Sequence, residues 1–265
     1  MKNKIISALF IGFTILTFAQ TNNTGISSTP GDEGKKMPKR VFSELTIGIA
    51  IPQGDFASTG ANLEEVAGFA VNGGFLFANY GVIYNNLFGY EVAFSLGINP
   101  LDKKIDDMLN NAGYPSNTGY DYDYGKWSNI NIMLGPHFSL PIEKFALDLR
   151  LLGGYMYLER PFIKQTFNNG YLIAEQNSGH GSAFVWQLGT GMRYSISKDF
   201  DIKFSLDYFK AKPKIKYQRY VFQNDIIIEE DGTTHYGVFT GLSNIKYTQP
   251  ISSYNFGIGV VFYPK

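Results

Sequence analysis

Residues 88–98 read FGYEVAFSLGI, and this stretch decides the fold. Every second side chain is large and apolar: Phe88, Tyr90, Val92, Phe94, Leu96 and Ile98. The residues between them, which would lie on the opposite face of a strand, are Glu91 and glycine, alanine and serine. A period of two residues predicts a β-strand. A uniformly large apolar face opposite small and polar residues is typical of a strand that contacts lipid outside and a polar lumen inside.

The composition excludes several classes of protein. The chain has 265 residues and is 44% apolar, with 18 tyrosines, 22 phenylalanines and 29 glycines. It contains no cysteine, so a disulfide framework and a thiolate metal site are both excluded. Its formal net charge is zero, which argues against nucleic acid as a partner.

The N-terminal segment predicts export from the cytoplasm. Residues 1–19 carry Lys2 and Lys4, an apolar run and a small residue, Ala19, at the end, as a cleaved signal peptide does. The alternative, a membrane anchor, is weaker because the apolar run is shorter than the roughly 20 residues of a spanning helix. Residues 20–40 are mostly polar or small and are predicted to form a flexible linker. We expect residues 41–265 to form one folded domain, a β-barrel.

Seven other stretches show the same alternation as 88–98, which gives eight predicted strands. They cover 44–51, 67–77, 129–138, 145–157, 183–194, 200–208 and 253–262. In 67–77 the face predicted to be apolar consists of Ala67, Phe69, Val71, Phe75 and Phe77. Lipid requires every backbone group to be paired, and a closed barrel meets this requirement. The fold class is therefore all-β, an eight-stranded antiparallel transmembrane β-barrel, with a soluble lipocalin-like barrel as the alternative.

The predicted connections alternate in length. The long ones cover 52–66, 99–126, 159–182 and 211–252, and the short ones cover 78–87, 139–144 and 195–199. Long extracellular loops and short periplasmic turns are typical of outer-membrane barrels. Aromatic residues near the predicted strand ends fit the two membrane interfaces. They are Trp127, Tyr157, Trp186, Tyr194, Tyr208 and Tyr254.

Residues 41–265 contain the motifs IGIAIPQGDF and YNFGIGVVFYPK, with glycine-rich alternating strands between them. Through these features they resemble the small outer-membrane β-barrel proteins of OmpA/OmpX type. The resemblance implies location in the cell outer membrane, with its lipid and its insertion machinery as partners. In such families a terminal aromatic residue helps the machinery to recognise the chain. Here Phe262 and Tyr263 are followed by Pro264 and Lys265, which departs from that pattern.

Seven charged side chains are predicted to point into the lumen. They are Glu91, Asp148, Arg150, Arg193, Asp201, Lys203 and Asp207. With eight strands the interior is just wide enough for side chains to fill it, and opposite charges there should pair. We expect a structural salt-bridge network, and the alternative is a narrow conduit for small solutes.

His137 and Ser139 form a His-x-Ser pair on a predicted strand. The pair looks like the catalytic pair of outer-membrane lipid A deacylases, in which histidine activates serine as a nucleophile. Its predicted place near the periplasmic end of the lumen, away from surface lipid, counts against an enzyme. We therefore expect a non-enzymatic protein without a catalytic residue, metal or cofactor.

The loops carry the remaining signals. The segment GYDYDYGKW presents Tyr120, Tyr122 and Tyr124, the type of side chain that supplies contact area in recognition loops. A calcium loop at Asp121 and Asp123 is less favoured, because Gly125 and Lys126 stand where a further ligand and the turn glycine belong. A short amphipathic helix is predicted in LDKKIDDMLNNAG, and KIKYQRYVF with DIIIEEDG is predicted to form a hairpin. We expect a structural or adhesion-type role through an extracellular protein or glycan ligand.

Overall fold

The computed structural model describes residues 39–59, 67–85, 87–106, 120–167, 171–221, 226–228, 234–236 and 241–264. The predicted signal peptide and most of the predicted linker lie outside these ranges. Within the described residues, no helix has the length and apolar character needed to cross a membrane.

Fifteen strands are present in this described part of the chain. In chain order they are β1 (Lys39–Pro52), β2 (Gly73–Tyr84), β3 (Phe88–Pro100), β4 (Tyr120–Tyr124), β5 (Lys126–Ile142), β6 (Phe145–Arg160), β7 (Ile163–Phe167), β8 (Tyr171–Gln176), β9 (Gly179–Ser197), β10 (Phe200–Ala211), β11 (Lys214–Val221), β12 (Ile226–Ile228), β13 (Thr234–Tyr236), β14 (Gly241–Thr248) and β15 (Ile251–Phe262). A 3-10 turn at Gly54–Phe56 follows β1.

Eight long strands close into a barrel, as predicted. Each pairs antiparallel with the next in the order β1, β2, β3, β5, β6, β9, β10, β15. The last strand pairs back with the first, so that Ile258 lies opposite Ile47. Closure leaves the eight-stranded wall without an edge, which is the condition for a sheet inside lipid.

The outer wall is apolar on all sides of the barrel. Leu134 and Phe184 are 67% and 68% exposed, although both are large apolar residues. Exposed apolar side chains recur at alternate positions on the neighbouring strands, including Leu45, Ile47, Tyr90, Val92, Leu147, Leu149, Phe204, Phe256 and Ile258. Such a belt is unfavourable in water and favourable in the hydrocarbon layer. The predicted outward faces of seven strands are thus confirmed, and the soluble lipocalin-like alternative is not supported.

The predicted register of the second strand is wrong. β2 covers Gly73–Tyr84 instead of 67–77, and Phe75 and Phe77 are buried inside the barrel. Space for Phe75 comes from Gly257, where an added Cβ would lie 2.9 Å from the Phe75 ring. On the other seven strands the alternating large apolar residues point outwards, whereas these two rings point into the lumen, so alternation alone assigned them to the wrong face.

Three short turns join the strands at the periplasmic end. The predicted connections 78–87, 139–144 and 195–199 shorten to 85–87, 143–144 and 198–199, because the strands and their exposed apolar residues, such as Leu140, Ile142 and Ile196, continue beyond the predicted ends. At the N-terminus, Lys39 and Arg40 pair with β2, so β1 begins two residues before the predicted start of the barrel domain.

On the extracellular side the wall continues into a sheet above the membrane. β11 pairs with β9, β8 and β14, and β8 leads through β7 to β4. The predicted pairing of KIKYQRYVF with DIIIEEDG is therefore wrong. β11 pairs with β14, and β12 pairs separately with β13. The connection between β12 and β13 contains Asp231 and Gly232, one of the two predicted turns.

An apolar plug fills the barrel under this extracellular sheet. Phe56, Ile215 and Ile251 are fully buried there, and the Phe56 ring meets the Trp127 indole edge to face at 5.6 Å. The Trp127 Nε1–H donates to the carbonyl of Gly68 at 2.8 Å. Trp127 therefore lies inside the barrel and not in the predicted interface belt.

Candidate functional site

The seven charged residues predicted for the lumen all lie inside the barrel and are at most 5% exposed. They occupy inward positions of β3, β6, β9 and β10. The structure adds Glu44, His137 and Tyr263, which are also buried. These ten residues are called the charge network below.

Arg150 is at the centre of one half of the charge network. Its guanidinium donates two parallel hydrogen bonds to Asp207, from Nε at 2.9 Å and from Nη2 at 2.8 Å. Its Nη1 donates to both Glu44 oxygens at 3.2 and 3.3 Å, and its Cζ lies 4.1 Å from the Phe77 ring centroid. A bidentate pair fixes geometry as well as charge, so Arg150 ties β6 to β10 and β1 across the lumen.

Glu44 accepts hydrogen bonds from four neighbouring side chains. Besides Arg150, it receives Thr46 Oγ1 at 2.9 Å, Asn79 Nδ2 at 3.0 Å and Lys203 Nζ at 2.8 Å. Glu44 was not among the seven charged residues predicted for the lumen. Its position one residue before Leu45 on the same alternating strand was the signal that could have found it.

Arg193 organises the periplasmic half. Its Nη2 donates to Asp148 Oδ1 at 2.9 Å and to Ser139 Oγ, and its Nη1 donates to Asp201 Oδ2 at 3.3 Å and to Tyr263 Oη. The Tyr263 hydroxyl in turn donates to Asp201 at 2.6 Å. Tyr263 was expected only as a terminal aromatic residue, yet it turns inward and completes this cluster.

His137 bridges two carboxylates. Its Nδ1 lies 2.8 Å from Glu91 Oε2 and its Nε2 lies 3.5 Å from Asp148 Oδ1. Ser139 is bound by Arg193 instead of by His137. The arrangement that would activate a serine needs a hydrogen bond from its hydroxyl to the histidine. The structure therefore gives His137 and Ser139 separate partners.

The network has more carboxylates than permanent cations. Glu44, Glu91, Asp148, Asp201 and Asp207 are five acids, and Arg150, Arg193 and Lys203 are three bases. Buried charges without partners are costly, which explains why each cation in the network contacts more than one carboxylate.

Amide side chains fill the lumen on the extracellular side of the charge network. Asn131 Nδ2 donates to Ser95 Oγ and to Asn129 Oδ1, both at 2.8 Å. With Asn99, Gln187 and Asn255 they line a cavity of about 10 Å³. That volume holds about one water molecule. The amides, the charge network and the buried apolar side chains around them fill the narrow interior that eight strands enclose.

The predicted recognition tyrosines lie on β4. Tyr122 and Tyr124 are half-buried and their rings stack at 6.3 Å, while Asp121 and Asp123 are exposed. Tyr124 packs on the buried cluster of Phe69, Ile105 and Ile163. Tyr120 is the first residue of β4. Strand alternation thus turns the Tyr122 and Tyr124 rings towards the rest of the protein and leaves the Asp121 and Asp123 carboxylates exposed to solvent. The backbone of β4 is extended and does not form a calcium loop.

Arg160 joins the extracellular sheet to the barrel. Its Nη1 donates to the Pro161 carbonyl at 3.1 Å, its Nη2 donates to Gln176 Oε1 at 2.5 Å, and its Cζ lies 4.1 Å from the Tyr217 ring centroid. Next to them, burial raises the pKa of Tyr247 to about 12. Arg160 therefore links the end of β6 to β8 and β11. In the described residues no group of three or more His, Cys, Asp and Glu side chains is arranged to hold a metal.

Solved structures with a similar fold are outer-membrane proteins. A major outer membrane protein from Thermus thermophilus is 11% identical, with a TM-score of 0.47 over 85% of this chain and 99% of that chain. Ail, the attachment invasion locus protein of Yersinia pestis, is 16% identical, with a TM-score of 0.39 over 84% and 99%. The outer membrane protease OmpT from Escherichia coli is 8% identical, with a TM-score of 0.39 over 85% and 97%.

No family model and no curated protein matches the chain. At these identities the similarity concerns the fold and does not extend to an activity. The closed wall and the continuous apolar belt of this chain indicate a membrane-spanning protein by themselves, because only a closed sheet with a lipid-facing outer surface can cross a bilayer by strands. The chain is an integral β-barrel protein of the cell outer membrane.

Proposed function

We propose that the protein is a non-enzymatic, closed barrel whose extracellular sheet contacts a protein or glycan outside the cell. The observation that supports closure is the charge network, which joins side chains of β1, β3, β5, β6, β9 and β10 across one level of the lumen. Each of its three permanent cations is held by at least two carboxylates.

The extracellular sheet supports the contact role. It extends the barrel wall by β4, β7, β8, β11 and β14, and β14 is exposed along most of its length. Paired strands anchored through Arg160 offer a preformed surface, and a preformed surface loses less conformational freedom on binding. We infer that any extracellular partner docks on this sheet. The insertion machinery is needed only while the barrel assembles.

Two alternatives have specific support and specific objections. A conduit is favoured by the charged lumen, but the bidentate Arg150–Asp207 pair and the single-water cavity oppose ion passage. A lipid A deacylase is favoured by His137 and Ser139, but both side chains are buried and bound to other groups. Mass analysis of lipid A from cells with and without the protein tests the deacylase directly.

Single-channel conductance in planar bilayers tests closure. The refolded protein should insert and remain silent, whereas Arg150→Ala, which removes the cation that joins Asp207 and Glu44, should give at most brief, irregular openings, because the apolar plug still fills the lumen above it. Lys126→Ala is the matched control, since it removes an exposed cation outside the lumen and should stay silent. Steady ion-selective openings of the unaltered protein would refute closure and favour the conduit.

Contact through the sheet needs a separate test. Cells that display the full chain are compared on glycan arrays and matrix-protein surfaces with cells that display Leu242→Glu/Ser243→Glu, two exposed positions of β14 in the extracellular sheet. The proposal expects a glycan or protein that retains only the first cells. Equal retention of both cell types on every surface would overturn it.

A further inference from the structure

A column of lysines follows the outer surface where β10 leads into β11. Lys212, Lys214 and Lys216 are exposed and Lys210 is half-exposed. Lys214 and Lys216 lie opposite Ser182 and His180 of β9, on the side that carries the lipid-facing Phe184. Lys246 of β14 is also exposed. These five residues are called the outer lysine patch.

The outer lysine patch places like charges directly side by side. Lys216 lies opposite Lys246 on one neighbouring strand and opposite His180 on the other. Facing residues on adjacent strands have Cβ atoms about 5 Å apart, and like charges at that distance destabilise a sheet. None of the five ammonium groups forms an ion pair with another residue that the structure describes. An external anion would remove this repulsion.

The patch begins at the level of aromatic side chains on the outer wall. Lys210 is level with Trp186, whose ring packs on Tyr208 at 5.6 Å, and such aromatic residues are enriched where the hydrocarbon layer meets the headgroups. Lys214 is level with Ser182, four residues further along β9. Four residues correspond to about 13 Å along a strand, and to about 10 Å along the membrane normal for a tilted strand. Lysine side chains can reach down from there to the headgroup layer.

We propose that the outer lysine patch binds the phosphate groups of a phosphorylated glycolipid in the outer leaflet. Such a lipid brings fixed negative charge to the height of Lys210, Lys212 and Lys214, immediately beside the apolar wall that its acyl chains already contact. The phosphates would sit beside Lys212 and Lys214, with the adjacent cations Lys216 and Lys246 above them. This site occupies the end of β11 and β14 next to the barrel, and it does not require a partner on the rest of the extracellular sheet.

The opposite side of the barrel has a different pattern of charges, which provides a control. In the ring of eight strands β3 lies opposite β10, and the chain after β3 carries Lys103 and Lys104 next to Asp102 and Asp106. Alternating signs there compensate each other locally. A specific phosphate site predicts that the lipid binds on the β10 side of the barrel and not on the β3 side. General attraction to a charged membrane predicts no difference between the two sides.

The test uses the full chain in phosphatidylcholine nanodiscs that contain diphosphorylated lipid A, with lipid retained per barrel measured by native mass spectrometry. Lys214→Glu/Lys216→Glu should lower the affinity by about 25-fold or more, since each lysine near an anionic surface contributes about fivefold. Lys103→Glu/Lys104→Glu should change it by less than about threefold if the opposite wall is outside the site. The heat-modifiable band on gels shows that each variant is folded.

Several results would overturn the proposal. Equal losses in the two double variants would show general electrostatic attraction, and unchanged retention in Lys214→Glu/Lys216→Glu would place the lipid elsewhere. Equal retention of dephosphorylated lipid A would exclude phosphate as the recognised group. Binding of soluble heparin through the patch without any preference for lipid A would assign it to a soluble polyanion. Lys214→Gln/Lys216→Gln, which adds no acid, should show a smaller loss in the same direction.

Discussion

At the scale of single residues, Arg150 shows why the lumen tolerates so much charge. It is 1% exposed and still satisfies Asp207 and Glu44 at once. Replacing it by Met keeps most of the volume but leaves Asp207 without its bidentate partner. We expect Arg150→Met to lower the free energy of unfolding by about 3–5 kcal/mol, the usual result of removing one partner of a buried pair.

Urea unfolding of the refolded barrel in lipid vesicles measures this loss. Lys126→Met, at an exposed position, should stay within about 0.5 kcal/mol of the unaltered protein. In Arg150→Met/Asp207→Asn the loss should be smaller than the sum of the single losses, because the two side chains contact each other directly. Additive losses would show that the pair contributes no interaction energy.

At the scale of single strands, β3 and β2 show how far alternation predicts the structure. In β3 the outward residues are uniformly large and the inward ones small or polar, so lipid and lumen faces follow from the sequence. In β2 both faces carry large residues, and the choice depends on space provided by Gly257 of another strand. Alternating hydrophobicity was therefore sufficient to predict the lipid-facing side of a strand where the lumen-facing residues are small or polar. It failed in β2, where packing between strands decides which large residues face the lumen.

The same limit applies to the candidate site. The inward position of the seven predicted charges follows from strand period, but their partners depend on which strands face each other across the barrel. Tyr263 has the same parity as the inward residues Ser253, Asn255 and Val261, so alternation indicates its face, but it lies beyond the last strand and its contacts with Asp201 and Arg193 could not be predicted from period.

Packing between strands makes a testable prediction about Gly257. A Cβ at this position would lie 2.5 Å from Thr46 Cγ2 and 2.9 Å from the Phe75 ring. We expect Gly257→Ala to destabilise the barrel by about 1–3 kcal/mol through overpacking. Gly74→Ala is the matched control, since its Cβ would meet only the Gly48 carbonyl oxygen at 3.9 Å.

Unfolding midpoints in urea test the prediction, and Phe75→Leu shows whether Phe75 is the cause. In Gly257→Ala/Phe75→Leu the loss should be less than the sum of the two single losses, since a smaller side chain leaves room for the added methyl group. If Gly74→Ala were as destabilising as Gly257→Ala, the effect would come from backbone conformation and not from packing.

At the scale of the whole molecule, barrel closure brings the last strand to the first, and the two final aromatic residues differ in their surroundings there. Phe262 is 47% exposed on the lipid face, where it packs on Phe200 at 5.3 Å. Tyr263 is buried, and the Arg40 guanidinium carbon lies 3.3 Å from its ring centroid. We infer that Phe262 is available to the insertion machinery, whereas Tyr263 stabilises the closed barrel.

Two substitutions separate these roles. Phe262→Ala should lower the folded fraction in the outer membranes of cells while changing the unfolding free energy of the refolded protein little, because its ring faces lipid. Tyr263→Phe should do the reverse, with a loss of about 1–3 kcal/mol for the hydroxyl that joins Arg193 to Asp201 and with normal assembly. The heat-modifiable band from cells and urea unfolding of refolded protein give the two readouts. Equal assembly defects in both variants would contradict this division between recognition and closure.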